Sequence, residues 1–271
     1  MDAIELWLGY AAIGAIVGLL AGMLGIGGGA IMVPLLASLL EAQGFARSQV
    51  VHLAIGTSMA SILFTSMSSV RAHHLRGAVR WEVLKRITPG ILAGGLAGSL
   101  AAGFVSSRGL ALFFAVLVYG VGTNMLLDRK PKATRDLPGR VGMFAAGAVI
   151  SGLSSLMAIG GAAMTVPFMV FCGVPPIQAV GTASAIGFPI ALAGAVGYVA
   201  SGLAEGGLPS GSLGYVYLPA VAGITLASVL TAPLGAKLAH NLPMKRLKQV
   251  FAVLLFLLAT RMLVRIWAHT T

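Results

Sequence analysis

Residues 26–34 read Ile-Gly-Gly-Gly-Ala-Ile-Met-Val-Pro and residues 159–167 read Ile-Gly-Gly-Ala-Ala-Met-Thr-Val-Pro, with six of nine positions identical. A second pair follows in the same order, Ala54-Ile-Gly56-Thr57-Ser58-Met-Ala60 against Ala179-Val-Gly181-Thr182-Ala-Ser184-Ala185. The interval between the motifs is eight residues shorter in the second copy. Two matches in one order mark an internal duplication. Each glycine run also interrupts an apolar stretch, and this repeated break inside apolar sequence decides the fold class.

Working outward, 58% of the 271 residues are hydrophobic and only 9% are charged, with a mean hydropathy of +0.95. Soluble domains carry about 25% charge, so the chain belongs in a bilayer. Apolar segments run over 6–24, 30–40, 50–70, 87–105, 110–127, 141–157, 160–171, 178–200, 215–238 and 250–267. A bilayer core of roughly 30 Å takes about 20 helical residues, which leaves 30–40 and 160–171 too short to span. Each of these short segments follows a glycine break. The first apolar run lacks a basic leader and is read as part of the fold rather than as a signal peptide. The expected fold is an all-α polytopic membrane protein made of two inverted-topology repeats. Each repeat has about five hydrophobic segments, with broken or re-entrant helices at the Gly-rich motifs. Residues 1–127 form the first repeat, 128–140 a cytoplasmic linker and 141–271 the second.

Charge placement supplies the inversion. The chain has 18 Lys+Arg against 7 Asp+Glu, a balance that in a soluble protein suggests nucleic acid. Here 14 of the 18 cations fall in three places: Arg71, Arg76, Arg80, Lys85 and Arg86; Arg129, Lys130, Lys132, Arg135 and Arg140; and Lys237, Lys245, Arg246 and Lys248. Cations between membrane spans mark the cytoplasmic side, so they are read as orientation signals and no nucleic-acid partner is expected. The loop 201–214 has no cation and carries Glu205, which places it outside. Equivalent loops of the two copies thus face opposite sides. The linker comes out cytoplasmic and both termini non-cytoplasmic, in the cytoplasmic (inner) membrane. His73 and His74 lie in the first basic loop and are read as solvated.

Inverted repeats with broken helices are the pattern of secondary transporters that bind substrate at the midplane. A helix starting inside a membrane offers unpaired N–H groups and the positive end of its dipole, which suits an anion. Gly27, Gly28 and Gly29, with Gly160 and Gly161, are therefore the candidate substrate-binding breaks. Pro34 and Pro167 fall in the second turn of the short helices and are expected to disturb them little. Thr57, Ser58, Thr182 and Ser184 are candidate ligands for oxyanion oxygens. All seven carboxylates lie at span ends or in loops, which disfavours metal-cation transport and carboxylate proton relays. The lone Cys172 excludes disulfide scaffolds and thiolate clusters, and no metal or cofactor is expected. His52 is the one ionisable residue close to a motif and is the candidate for a proton-linked role. No Ser–His pair, aspartate pair or His-Glu-x-x-His is present, so no catalytic residue is assigned.

These residues carry a resemblance to the TauE/SafE family of sulfite and organosulfonate exporters. The matching stretches are Gly22-Met-Leu-Gly25-Ile-Gly27-Gly28-Gly29-Ala-Ile-Met-Val-Pro34 and Ala54-Ile-Gly56-Thr57-Ser58. To these add His74-Leu-Arg76-Gly77-Ala-Val-Arg80-Trp81 and the two second-half copies. The second glycine run is shortened to Gly160-Gly161-Ala162-Ala163, and Ala183 stands where the family tends to have Ser. The resemblance implies export of a small sulfur oxyanion, such as sulfite or an organosulfonate like sulfoacetate, by alternating access. An anion channel with a paired half-helix constriction and a non-transporting membrane interaction subunit are the alternatives. The implied partners are a small anionic substrate and the lipid bilayer, with homo-oligomerisation open.

Overall fold

A computed structural model of the chain describes residues 3–24, 28–127, 135–158, 160–239 and 244–267. Ten helices carry almost all of them: α1 (Ala3–Leu24), α2 (Gly29–Ala42), α3 (Arg47–His74), α4 (Trp81–Ala102), α5 (Ser107–Leu127), α6 (Arg140–Ser155), α7 (Ala162–Phe171), α8 (Pro176–Leu203), α9 (Leu218–Ala239) and α10 (Met244–Trp267). A two-residue hairpin, β1 (Ser212–Leu213) with β2 (Val216–Tyr217), precedes α9. Each apolar segment of the sequence maps onto one helix. Among the described residues, five helices are long and apolar enough to cross a membrane. The protein is an all-α polytopic membrane protein.

Glycine sets the packing. Without a driving force from water, membrane helices associate where small residues let backbones approach closely. A methyl group added at Gly90, Gly94 or Gly98 of α4 would meet the carbonyls of Phe144, Ala148 and Gly152 in turn. The constant offset means that α4 and α6 run parallel in backbone contact. Gly14 and Gly18 of α1 meet the carbonyls of Ile224 and Ser228 of α9 in the same way. By contrast, α3 and α8 cross antiparallel: Gly56 faces Tyr198, Gly194 faces Met59 and Gly187 faces Ser66. α5 and α10 are also antiparallel, with Gly122 on Phe256 and the Tyr119 hydroxyl 2.5 Å from that of Thr260.

These directions fix the path of the chain. α2 folds back along α1, since the Gln43 side-chain amide donates to the Tyr10 hydroxyl at 2.8 Å and Gly9 faces Leu39. At its start, Gly28 sits on Val17 and Gly29 on Ile62, about midway along α3. α1 runs beside α9 from Trp7 against Gly223 to Met23 against Gly235, and α2 then starts from mid-depth and returns to the end where α1 began, before α3, α4 and α5 cross in turn. α6 begins at the end where α8 begins, so α6 and α7 likewise go in and return before α8, α9 and α10 cross. The helix ends next to all three basic stretches gather at one end of the bundle, here the basic end. Glu41, Arg47, Arg108 and Glu205 lie at the other. Trp7 and Trp81 are half exposed near opposite ends of the bundle, as indoles at a membrane boundary are.

Two details depart from the sequence reading. Pro34 and Pro167 are each the sixth residue of their helix, beyond the four N–H groups that lack an intrahelical partner. Each removes one i→i−4 bond, to Ala30 or Ala163, so the prolines are not neutral. His73 is buried in the last turn of α3 rather than solvated, whereas His74 is exposed and receives the Trp81 indole N–H at 3.3 Å.

Candidate functional site

The two breaks have one geometry. Gly28 (φ 72°) precedes α2 and Gly161 (φ 74°) precedes α7, both in the left-handed region. The Gly28 carbonyl accepts from the N–H groups of Ile31 (3.1 Å) and Met32 (3.0 Å), and that of Gly161 from Met164 (3.1 Å) and Thr165 (2.8 Å). Only glycine adopts this conformation without steric cost, and neither helix start is capped by a side chain. The breaks also touch: a methyl group on Gly29 would overlap the carbonyl of Ala158, in the other break. Ala158 is itself left-handed at φ 49° and fully buried. A strained non-glycine residue persists only where its surroundings hold it.

Beside this meeting point lies a small hollow lined by Ala21, Thr65, Ser66, Ser69, Gly160, Ser184 and Gly187. Its free space, about 10 Å³, holds one water-sized molecule. α1, the second half of α3, the second break and the first half of α8 all contribute, which puts it on the basic-end side of the α3–α8 crossing. The Ser69 Oγ is buried with no hydrogen-bond partner. Toward the other end, Met59 packs its sulfur against Gly194 and Tyr198 packs against Gly56. Toward the basic end, His73 follows Ser69 by one turn of α3.

Of the residues expected from sequence, Gly160 and Ser184 line this hollow. Gly28, Gly29 and Gly161 shape its neighbourhood without lining it, and Gly27 lies outside the described residues. Thr57 and Thr182 do something else, and do it as a pair. The Thr57 hydroxyl accepts from the backbone N–H of Tyr217, just before α9, and the Thr182 hydroxyl from that of Arg80, just before α4, both at 2.9 Å. Gly56 and Gly181 admit the carbonyls of Tyr215 and Ala78 two residues earlier in those same loops. Each Gly-Thr step is thus a socket for the loop that starts a helix of the opposite half. Ser58 is buried with its Oγ unpartnered, away from the hollow.

His52 sits at the far end, on the wall of an open vestibule of about 610 Å³ shared with Glu41, Arg47, Arg108, Glu205 and Tyr215. Its Nε2 lies 3.1 and 3.0 Å from the carbonyls of Ala102 and Val105, so that nitrogen carries a proton. Its Nδ1 is 3.0 Å from the Ser107 Oγ, and the ring stacks on Tyr215 at 4.8 Å. Burial and the negative charge of Glu205 push the Tyr215 phenol up to about 12, so it stays neutral. The histidine ties the start of α3 to the α4–α5 turn and to the hairpin of the opposite half.

Thr65, Ser66 and Ser69 were not singled out by sequence. The signal for them is the contrast with α8: in the sequence register that aligns Thr57 with Thr182, their counterparts are Ile190, Ala191 and Gly194. Polarity appears in one copy only.

With this geometry in hand, comparison with known proteins is decisive. Residues 10–262 match the sulfite exporter TauE/SafE family. The chain belongs to that family. A probable membrane transporter protein of Haemophilus influenzae is 35% identical to this TauE/SafE protein over 254 residues, covering 93% of this chain and 96% of that one. A second, from Methanocaldococcus jannaschii, is 25% identical over 255 residues and 93% of both chains. YunE of Bacillus subtilis, also a probable membrane transporter protein, is 26% identical over 211 residues, covering 70% of this chain and 77% of that one. No solved structure is significantly similar. A multi-pass membrane transporter is the function this family membership supports.

Proposed function

We propose that the protein exports a small sulfur oxyanion, sulfite or an organosulfonate, by alternating access through the hollow beside the two breaks. One observation carries the reading: a buried Ser69 hydroxyl without a partner, on a residue that lines a small hollow where the second break and both halves of the chain meet. An orphaned buried hydroxyl costs about 1–3 kcal/mol, a cost that a bound oxyanion removes. The basic end is read as cytoplasmic, so the hollow stands on the inner half of the path with Met59 and Tyr198 as the outward seal. Residues 1–127 and 141–271 act as inverted repeats, supported by the matched Gly28/Gly161 and Thr57/Thr182 geometries.

The packing refines how such a protein moves. The closest backbone contacts join α1 to α9 and α4 to α6, each pair drawn from opposite halves. The rigid bodies are therefore two mixed bundles rather than the two repeats, with the α3–α8 crossing between them. A four-atom oxyanion exceeds the present free space and enters when these bundles part. A membrane potential of −100 mV inside favours expulsion of one negative charge by about 2.3 kcal/mol, enough to drive export without a second ion. His52 serves this cycle as a latch on the outward end, and opening there breaks its stack on Tyr215.

The test is a thermal-shift panel of small oxyanions on the purified full chain, repeated with Ser69→Ala. Stabilisation by a sulfur oxyanion that Ser69→Ala removes supports the site. Equal stabilisation of both proteins takes the hollow out of the binding path.

A further inference from the structure

The proton inventory of the hollow says more about its occupant, if the transport reading above is right. The Ser66 hydroxyl donates to the carbonyl of Leu63 at 2.9 Å, and that of Ser184 to Val180 at 3.1 Å. The Thr65 Oγ1 lies 3.1 Å from the Ser61 carbonyl and 2.8 Å from the Ser228 hydroxyl, which in turn lies 3.2 Å from the Thr225 carbonyl. Whichever way that chain runs, both protons can be used within it, on a backbone carbonyl or on the neighbouring hydroxyl. The Gly160 carbonyl also turns toward Gly187, on the wall of the hollow. Each hydroxyl has one proton and two lone pairs, so Thr65, Ser66 and Ser184 offer the hollow acceptors. Among the described side chains of the lining, Ser69 alone has an uncommitted donor.

A fully deprotonated oxyanion has only acceptors, and from the described hydroxyls other than Ser69 it would meet lone pairs. Among the described residues, the lining also contains no Arg, Lys or His to offset a second negative charge. The cost of moving an ion out of water is steep and grows with the square of its charge. We infer that, of the small sulfur oxyanions, this protein binds and carries sulfite in the protonated, singly charged form in preference to an organosulfonate, the ligand's own O–H donating to one of the hydroxyl or carbonyl oxygens while Ser69 donates to the ligand. The proton then travels on the substrate, and the protein needs no proton carrier of its own. Among the described residues, the titratable and charged groups on the elements packed around the hollow are Glu5 and Tyr10 on α1, Glu41 on α2, Arg47, His52, Arg71, His73 and His74 on α3, Tyr198 on α8 and Lys237 on α9, and none of them lines it.

Two probes of similar shape decide this: sulfite, which gains an acidic proton as pH falls, and methanesulfonate, a permanent monoanion with a methyl group and no donor. Binding to the full chain in detergent is measured by calorimetry across the pH range of sulfite's second ionisation. Above that ionisation the apparent Kd for sulfite is expected to weaken about tenfold per pH unit. Methanesulfonate should bind more weakly than hydrogensulfite and without pH dependence. The sulfite profile should be unchanged in His73→Gln and His52→Gln, and Ser66→Ala should narrow the gap between the probes. Sulfite binding that tightens with pH, equal pH-independent binding of both probes, or a profile that moves with His73→Gln would overturn the inference and leave the transport reading standing. Failure of both probes at every pH would overturn the transport reading itself.

Discussion

Substituting Gly28 by Ala separates two costs that the structure assigns to different glycines. Gly28 and Gly77 are both left-handed, at φ 72° and 65°, but Gly77 has no heavy atom within 4 Å of an added methyl group. At Gly28 that methyl would overlap Val17 Cγ1 and lie 3.0 Å from the Val17 carbonyl and 3.3 Å from Ala21 Cβ. The conformational cost, about 1–2 kcal/mol, is shared, and is partly offset by reduced freedom of the unfolded chain. Overpacking adds about 1–3 kcal/mol at Gly28 alone, because a backbone carbonyl cannot step aside as a side chain can. Gly161 falls between, since its methyl would meet only the flexible tip of Ile190 and then the Thr165 hydroxyl at 3.4 Å. Reversible unfolding in mixed micelles should rank the losses Gly28→Ala, then Gly161→Ala, then Gly77→Ala. A Gly28→Ala loss no larger than that of Gly77→Ala would show that the first break is not pressed onto α1.

Other consequences follow from single contacts. Ala158→Gly removes a left-handed alanine and should stabilise the protein by about 1 kcal/mol net of glycine's greater freedom when unfolded, read in the same unfolding experiment. Thr57→Ala and Thr182→Ala each leave a backbone N–H without its acceptor and should cost about 1–3 kcal/mol, while the Ser variants restore most of it. Replacing Arg71, Arg76 and Arg80 together by Gln should reduce the fraction of chains inserted with the 75–80 loop inside, scored by tags in the loop read from either side of the membrane. Unchanged orientation would remove those residues from the topology signal.

The fold was largely legible because membrane insertion imposes length and periodicity on every segment. The two short segments at 30–40 and 160–171 became α2 and α7, and the glycine runs marked the breaks because no other residue adopts their conformation without cost. The site was less legible. Thr57 and Thr182 read as ligands because repetition flagged them, but their partners, Tyr217 and Arg80, are 160 and 102 residues away. Thr65, Ser66 and Ser69 look in sequence like serines and threonines bonding back to their own helix. Two of the three do so, and what distinguishes the set is what they face. His73 read as a loop residue because its neighbours are charged, whereas α3 carries it inside.

The central claim is that the hollow opens to the cytoplasmic side and holds the oxyanion. It is tested most directly by Ser69→Cys in a Cys172→Ala background, labelled with a membrane-impermeant maleimide in inside-out and right-side-out vesicles. Labelling is expected in inside-out vesicles, slowed by sulfite at acid pH, with none from the outside in the absence of substrate. Labelling that sulfite leaves unchanged, or that proceeds equally from both sides, would contradict it.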